Sequence, residues 1–232
     1  MTSLRALLST LASQAGPVLT VYSKERVEFN GPVLARWFSK ISNLLSEELG
    51  ADLFGEGEAH SGRFFIRHEL WQEIVWTVPL LALGWTRLGS LEEAAPGDLV
   101  LVSTIDEDAL AACESGATVL AQPREYLAFS WRGDPLPTGI LDALAEVMAQ
   151  PDLLIGAPTG ALLPLEEVFE VVDESEGMKG VRIGLYAKAE EALVHLIGAW
   201  RRASGVVLID PDHYTKTEAE KVSAKEGQIL WI

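Results

Sequence analysis

The sequence predicts an α/β fold in which largely parallel sheets, or one such sheet, are flanked by helices. Short β-rich segments alternate with amphipathic segments along the 232 residues, and helices of about 10–15 residues between strands are typical of β-α-β units. Two segments, Leu99–Val102 and Val206–Ile209, are continuously apolar. Strands that are buried on both faces of a parallel sheet have this composition.

Helices are indicated by apolar residues that recur at spacings of three and four. The first covers residues 4–11, and the second starts at Asn30 or Gly31, either of which can cap a helix, with Pro32 in its first turn. Gly50 is predicted to end that second helix. Further helices are predicted over residues 69–85, 106–115, 137–150 with Thr138 as the cap, 163–174 and 189–200.

Strands are indicated by short runs of apolar and β-branched residues bounded by turn residues. They are predicted over residues 18–23, 63–68, 99–102, 118–122, 125–131, 180–187 and 205–210. No repeat and no long linker interrupts the pattern. A single α/β domain over residues 1–232 is therefore predicted, with a candidate subdivision near residues 132–138.

Charge and composition exclude several classes of function. The formal net charge is −16, from 18 Lys+Arg and 34 Asp+Glu, and an acidic surface repels phosphate backbones and anionic membranes. We therefore expect no nucleic acid and no membrane as partner. Cys113 is the single cysteine, which favours a buried apolar role. The first residues lack the features of a secretory signal, so we expect a cytoplasmic protein.

A glycine-containing segment at residues 152–164 could bind phosphate or could be a turn. A P-loop has two glycines separated by four residues and then Lys and Ser/Thr, whereas Gly156 and Gly160 enclose three residues and Ala161 follows. We expect a turn. If a nucleotide or CoA binds, Gly156, Thr159 and Gly160 are the candidate ligand-binding residues in this segment.

Asp210 is the other candidate ligand-binding residue. It ends an apolar strand, which is where α/β sheets place ligand-binding groups, and Asp212 and His213 follow it. Asp-Pro-Asp is also a sequence that favours a turn, so a structural role for Asp210 is the alternative interpretation. His68 ends a predicted strand without an evident partner. No set of residues supplies an acid, a base and a nucleophile, so we assign no catalytic residue and no metal ligand.

Three segments resemble the adenylate-forming (AMP-binding) superfamily, which includes the acyl-CoA synthetases. Residues 26–50 are similar to its N-terminal strand, turn and helix, with Asn43 at the position of the family's Asn. Residues 70–90 resemble the next helix, and residues 195–212 resemble a later helix and strand. The whole chain is similar to a short bacterial protein family of unknown function that distantly resembles the N-terminal domain of these enzymes.

The resemblance implies the fold but not the activity. The family's phosphate loop ends in Pro-Lys-Gly, and Thr159–Gly160 is the nearest similarity in this sequence; the family's Tyr-Gly-x-Thr-Glu motif is absent. We also expect no counterpart of the family's C-terminal domain, which carries its catalytic Lys, within residues 1–232. Since adenylation requires the triphosphate to be clamped and its charge neutralised, we expect no adenylation. Any remaining activity would be that of an acyl-CoA synthetase-like ligase, on resemblance alone.

Three hypotheses for function remain open. The first is a non-catalytic domain that acts by binding or interaction, with a protein partner or as a homodimer and without a cofactor. The second is a small-molecule-binding protein that retains residual binding of a nucleotide, CoA or an acyl group. The third is an enzyme of unrecognised type that uses Asp210, Asp212 and His213.

Overall fold

The computed structural model describes residues 2–48, 62–155, 162–163, 182–227 and 229–231. The strands are β1 (Thr2–Ser3), β2 (Pro17–Tyr22), β3 (Arg26–Asn30), β4 (Arg63–Arg67), β5 (Thr86–Arg87), β6 (Leu99–Val102), β7 (Thr118–Ala121), β8 (Ile140–Asp142), β9 (Leu162–Leu163), β10 (Arg182–Tyr186), β11 (Val206–Ile209) and β12 (Ile229–Trp231). The helices are α1 (Leu4–Ala12), α2 (Gly31–Asn43), α3 (Leu70–Ala82), α4 (Glu107–Glu114), α5 (Ala143–Ala149), α6 (Ala189–Arg201) and α7 (Lys216–Glu226). A π-helical turn, Leu44–Glu48, extends α2, and a 3-10 turn covers Leu91–Glu93.

Two compact units divide the chain. Unit 1 contains residues 1–36 and 163–232, and unit 2 contains residues 37–162. Each of the two five-stranded sheets lies in one unit. The α/β fold class is confirmed, whereas the single domain over residues 1–232, with its subdivision near residues 132–138, stays a prediction.

The sheet of unit 1 has the strand order β12-β10-β11-β2-β3. Its pairs are parallel except for β2 with β3, which form an antiparallel hairpin. The four residues of β11 are all buried, as their unbroken apolar sequence predicts. Helix α6 buries one complete stripe of side chains and packs against α1.

The sheet of unit 2 has the order β5-β4-β6-β7-β8, and all its strand pairs are parallel. Strand β6 lies at the centre and is buried along its whole length. One face of the sheet packs against Ala109 and Ala112 of α4. Within the described residues, no helix combines the length and the apolar character needed to cross a membrane.

The predicted start of α2 is confirmed at Asn30. Its side-chain oxygen accepts a hydrogen bond from the backbone N–H of Val33 at 2.9 Å, which satisfies one of the donors that a helix start leaves unpaired. The predicted end at Gly50 lies outside the described residues, and so do residues 164–174 of the predicted helix over residues 163–174, whose first residue, Leu163, belongs to β9.

Two predictions in residues 123–150 are wrong. Residues 125–131 form turns instead of a strand: the N–H of Ala128 bonds the carbonyl of Glu125 at 3.2 Å, and none of the described strands pairs with this segment. Helix α5 is capped by Asp142, whose carboxylate accepts the amides of residues 144 and 145, and not by Thr138. Gly139 has a φ of +92°, which breaks the predicted helix and allows β8 to form before α5.

Asn43 fixes the chain that follows α5. Its side-chain nitrogen donates to the carbonyls of Pro151 and Leu153 at 3.2 and 2.8 Å, and its oxygen accepts the N–H of Ile155 at 2.8 Å. Asn43 is fully buried. The asparagine that the resemblance singles out therefore has a structural role, because one amide serves three backbone groups.

Replacing Asn43 by alanine is expected to destabilise the protein by about 2 kcal/mol, since three hydrogen bonds are lost and partly buried backbone groups become unpaired. Urea denaturation would measure the change. Asn43→Asp keeps the acceptor for Ile155 but loses both donors, so it should not restore stability; full stability in the alanine variant would contradict the role.

Candidate functional site

Each five-stranded sheet has a point where successive crossovers leave in opposite directions. In unit 2, β4 connects through α3 to β5 on one side, whereas β6 connects through α4 to β7 on the other. Because such crossovers are right-handed, α3 and α4 lie on opposite faces of the sheet. The carboxyl ends of β4 and β6 therefore border a crevice of the kind where α/β proteins bind ligands.

Charged side chains at this crevice pair with one another. Nη2 of Arg67, at the end of β4, lies 2.7 Å from both carboxylate oxygens of Asp106, and Nη1 lies 3.5 Å from Asp108. Asp106 also caps α4 by accepting the N–H of Ala109. The hydrogen bond from Arg67, reinforced by that from Ala109, lowers the pKa of the Asp106 carboxyl. This contact ties the end of β4 to the start of α4.

His68 is the residue that follows β4, and both its ring nitrogens have partners. Nε2 lies 2.9 Å from the carbonyl of Gln122, and Nδ1 accepts the backbone N–H of Glu69 at 2.8 Å, which assigns the proton to Nε2. Burial lowers the pKa of His68 to about 4. The imidazole is therefore neutral at pH 7. The lone pair on its unprotonated nitrogen, Nδ1, already accepts the N–H of Glu69.

Buried amides fix the loop that follows β7. Trp76 donates its ring N–H to the side-chain oxygen of Gln122 at 2.8 Å, and Gln72 donates to the carbonyl of Arg124 at 3.0 Å. Gln72, Trp76 and Gln122 are almost completely buried. His68, Gln72 and Trp76 hold the loop against α3, because each of them bonds a group of Gln122 or Arg124.

The basic groups at the crevice are neutralised by neighbouring acids. Arg124 donates to the hydroxyl of Ser103 at 3.1 Å and lies 3.6 Å from a carboxylate oxygen of Glu69. Arg67 faces two carboxylates and Arg124 faces a third. A phosphate-binding site needs donors and positive charge that are free for the ligand, and here the guanidinium groups are engaged within the protein.

Asp210 lies at the corresponding crevice of unit 1, between β10 and β11. Strand β10 connects through α6 to β11, and β11 connects through α7 to β12 in the opposite direction. Asp210 is 6% exposed. Its side-chain oxygen accepts the N–H of Asp212 at 2.9 Å, and Lys188 bridges Asp210, at 3.8 Å, and Asp212. The carboxylate thus stabilises the turn that follows β11.

The other candidate residues do not converge with Asp210 on a reactive centre. His213 is exposed, and Asp212 pairs with Lys188. Among the residues that the structure describes, no group of three or more His, Cys, Asp or Glu side chains could hold a metal ion. Cys113 packs against the apolar cluster beneath α4 but is only partly buried, not buried as predicted. Gly156, Thr159 and Gly160 lie outside the described residues.

Comparison with known proteins matches this fold to solved structures. No family model and no curated protein matches the chain. An acyl-CoA synthetase from Brucella canis superposes with a TM-score of 0.65 at 11% identity, over 100% of this chain and 47% of that one. The amide bond synthetase McbA from Marinactinospora thermotolerans gives 0.56 at 14%, over 98% and 48%. Fatty acyl-adenylate ligases from E. coli and L. pneumophila give 0.56 at 12%, over 100% and 45%.

These neighbours are all adenylate-forming enzymes. The chain has the fold of part of an adenylate-forming enzyme. It spans about half the length of the structures it matches. At these identities the likeness concerns the fold alone. The three segments whose sequences resemble the superfamily, residues 26–50, 70–90 and 195–212, contain β3 with α2, α3 with β5, and most of α6 with β11.

Sequence reasoning found part of this arrangement. It located Asp210 at the end of an apolar strand, but it missed the contacts among His68, Gln122 and Arg124. The available signal was a polar residue directly after each of three strands, namely His68, Ser103 and Gln122, with Arg67 as the last residue of the first strand. Parallel strands bring their carboxyl ends to one edge of a sheet, so these residues could have been grouped before their partners were known.

Replacing Asp210 by alanine is expected to cost about 1–2 kcal/mol of folding stability, because a buried acceptor is removed from the turn. Asp210→Asn retains an acceptor for the N–H of Asp212 and should lose less. Urea denaturation of both variants measures the difference. Equal losses in the two variants would show that the ion pair with Lys188, rather than the turn hydrogen bond, stabilises this position.

Proposed function

We propose that the chain is a non-catalytic binding protein that uses part of an adenylate-forming fold as a scaffold and acts through a protein partner. One observation carries this proposal. Four large apolar side chains in unit 2 are 58–77% exposed. We call them the apolar rim: Leu127, Phe129, Leu153 and Ile155. A contiguous exposed apolar patch marks an interaction site, and we propose that these four side chains form one such patch.

The backbone beneath the apolar rim is held in place. Asn43 bonds the carbonyl of Leu153 and the N–H of Ile155, both at 2.8 Å. The ring of Tyr126 packs edge-on against Trp71, with centroids 5.6 Å apart. Because these anchors order the chain in advance, a partner that contacts the rim avoids much of the entropy loss of fixing it.

The charge arrangement supports the non-catalytic part of the proposal. Both strand-end crevices have their basic side chains paired with the protein's own carboxylates. The sequence also lacks the Pro-Lys-Gly and Tyr-Gly-x-Thr-Glu motifs of the enzymes it resembles. Stabilising the developing charge of an adenylate requires preorganised donors and cations, and the described crevices do not offer free ones.

A second candidate function is the binding of a small molecule: a nucleotide, CoA or an acyl group. The observation that favours it is the position of Asp210, which is buried at the carboxyl end of β11 beside the exposed amino group of Lys188. Ligands of α/β sheets bind at such a position.

Thermal unfolding distinguishes the two candidates. We would measure the midpoint with ATP–magnesium, AMP, CoA and an acyl-CoA, each at millimolar concentration. A ligand at a hundred times its Kd adds about 2.7 kcal/mol, which raises the midpoint of a chain of this size by roughly 5–10 °C. We expect no rise with any of them. A rise with one ligand would overturn the first proposal in favour of the second.

The apolar rim has its own test. Native protein is expected to enhance the fluorescence of an apolar dye, and the double variant Leu127→Ser with Phe129→Ser should lose at least half of this enhancement. Leu110→Ser, on α4 of the same unit and 38% exposed, is the control and should change little. Light scattering on the same samples separates a second copy of the chain, whose mass rises with concentration, from a different protein. Unchanged dye fluorescence in the double variant would contradict the role of the rim.

A further inference from the structure

Helix α7 has few apolar contacts with the rest of unit 1. Among its described side chains only Ala219 and Val222 are buried, and they contact Val207 and Ile209 of β11 in one small cluster. The other described side chains of α7 are exposed, apart from Glu226, whose side chain is largely buried. Two small apolar contacts give a helix of this length little hydrophobic stabilisation.

Glu226, the last residue of α7, carries most of the polar attachment. Its carboxylate lies 3.0 Å from Nε of Arg26 and 2.6 Å from Nη1 of Arg182, and it accepts the hydroxyl of Tyr22. These partners belong to three strands of the sheet: β2, β3 and β10. Hydrogen bonds between charged groups are about twice as strong as neutral ones, so a single side chain joins α7 to most of the sheet's width.

Gly184 of β10 provides the seat for β12. A Cβ at this position would lie 2.6 Å from the side chain of Ile229 and 2.9 Å from the ring of Trp231. Glycine weakens the interior of a strand, and its presence there marks the close approach of other atoms. The outermost strand, β12, is thus held by the side chains of Ile229 and Trp231, which pack over Gly184. The strand is not fully covered, since Leu230 and Trp231 are each 36% exposed.

Helix α7 has a defined boundary at each end. The chain before α7 is anchored by the Tyr186 hydroxyl, which donates to the carbonyl of Tyr214 at 2.8 Å. A capping box of Thr215 and Glu218 then starts the helix. After Glu226, Gly227 has a φ of +88°, a backbone conformation that glycine adopts easily. Helix α7 and β12 can therefore separate without breaking the backbone pairing of β11 with β10 and β2.

We propose that α7 and β12 form a detachable strap, latched by Glu226 and seated on Gly184, which opens as one unit while the rest of unit 1 stays folded. Opening removes the outermost strand, so that β10 becomes the edge of the sheet and the cluster around Val207 and Ile209 loses its cover. The inference does not depend on the proposed function, because none of its contacts involves the apolar rim, Asp210 or Lys188.

Native-state hydrogen exchange, read by mass spectrometry on peptides, tests the strap. After correction for intrinsic rates, α7 and β12 of the whole protein should exchange at least 10-fold faster than α6 and β11. Glu226→Gln, which keeps the shape and removes the charge, should accelerate α7 and β12 by about another 10-fold and leave α6 unchanged. Glu190→Gln, an exposed glutamate of α6 in the same unit, is the matched control and should have no effect.

Gly184→Ala provides an independent perturbation at the other contact. Its methyl group meets Ile229 and Trp231, so β12 should lose protection, and α7 should lose protection with it. Exchange of α7 and β12 at the same rate as α6 and β11 would overturn the strap. So would equal acceleration of all unit 1 peptides by Glu226→Gln, or release of β12 alone in Gly184→Ala.

Discussion

Replacing Gly31 by alanine is expected to destabilise unit 1 by about 3 kcal/mol, the upper end of the usual cost of overpacking, because the added methyl group meets backbone atoms. A Cβ on Gly31 would lie 1.9 Å from the carbonyl oxygen of Leu11 and 2.5 Å from that of Gln14. Both are backbone atoms at the end of α1 and just beyond it. No side-chain rotation can relieve the contact, so α1 or the start of α2 has to move.

The opposing effect is too small to compensate. Alanine is preferred over glycine in a helix by about 1 kcal/mol, and Gly31 is the first residue of α2. The N–H of Gly31 also donates to the carbonyl of Gln14 at 3.0 Å, and the shift would stretch this hydrogen bond. The clash therefore determines the sign of the change.

The measurement is the thermal midpoint, which should fall by roughly 6–12 °C for a chain of this size. Gly16→Ala is the matched control, because a Cβ there meets nothing within 4 Å, and it is expected to be neutral or slightly stabilising. A Gly31→Ala variant as stable as Gly16→Ala would show that α1 and α2 do not approach each other this closely.

Elements governed by local sequence were the predictable ones. Strands β6 and β11 were found because their residues are apolar without interruption, and Asn30 was found as a cap because its side chain bonds a neighbour three residues away. Such features depend on residues that are close in the chain. The parallel sheets follow from the alternation of these strands with helices.

Elements governed by distant contacts were not predictable. Residues 125–131 have the composition of a strand, but Tyr126 packs on Trp71 of α3 instead, and the segment has no strand beside it in the sheet. Trp231 rests on Gly184 only because β12 pairs with β10. Sequence periodicity carries no information on such partners, since it reports which face is buried and not what buries it.

The candidate site follows the same division. The position of Asp210 after an apolar strand was visible in the sequence, whereas its ion pair with Lys188 depends on the parallel pairing of β10 with β11. That pairing is what turns a potential ligand-binding carboxylate into a group that the protein already uses. The functional interpretation therefore depends on tertiary contacts, although the residues themselves could be singled out beforehand.

His68 is expected to make the protein lose stability as the pH falls from about 6.5 to about 4. Its pKa in the folded state is lowered to about 4 by burial, whereas an unfolded histidine titrates near 6.5. Between these values the unfolded chain binds a proton that the folded chain does not, so acid favours unfolding. The stabilisation is fully present above about pH 6.5 and is lost as the pH falls towards the folded pKa.

The expected loss is about 3 kcal/mol, since each unit of pKa difference corresponds to about 1.4 kcal/mol. His68→Gln, which stays neutral at every pH and can still donate to the carbonyl of Gln122, should lack this part of the pH dependence. Urea denaturation of both proteins at intervals from pH 7 to pH 4 measures it as a difference that other groups do not affect. His213→Gln is the matched control for the loss of an imidazole, because His213 is exposed, and it should retain the stability loss assigned to His68. If wild type and His68→Gln lost stability in parallel, His68 would not be the neutral, buried partner of Gln122, and the loop that carries Arg124 would need another anchor.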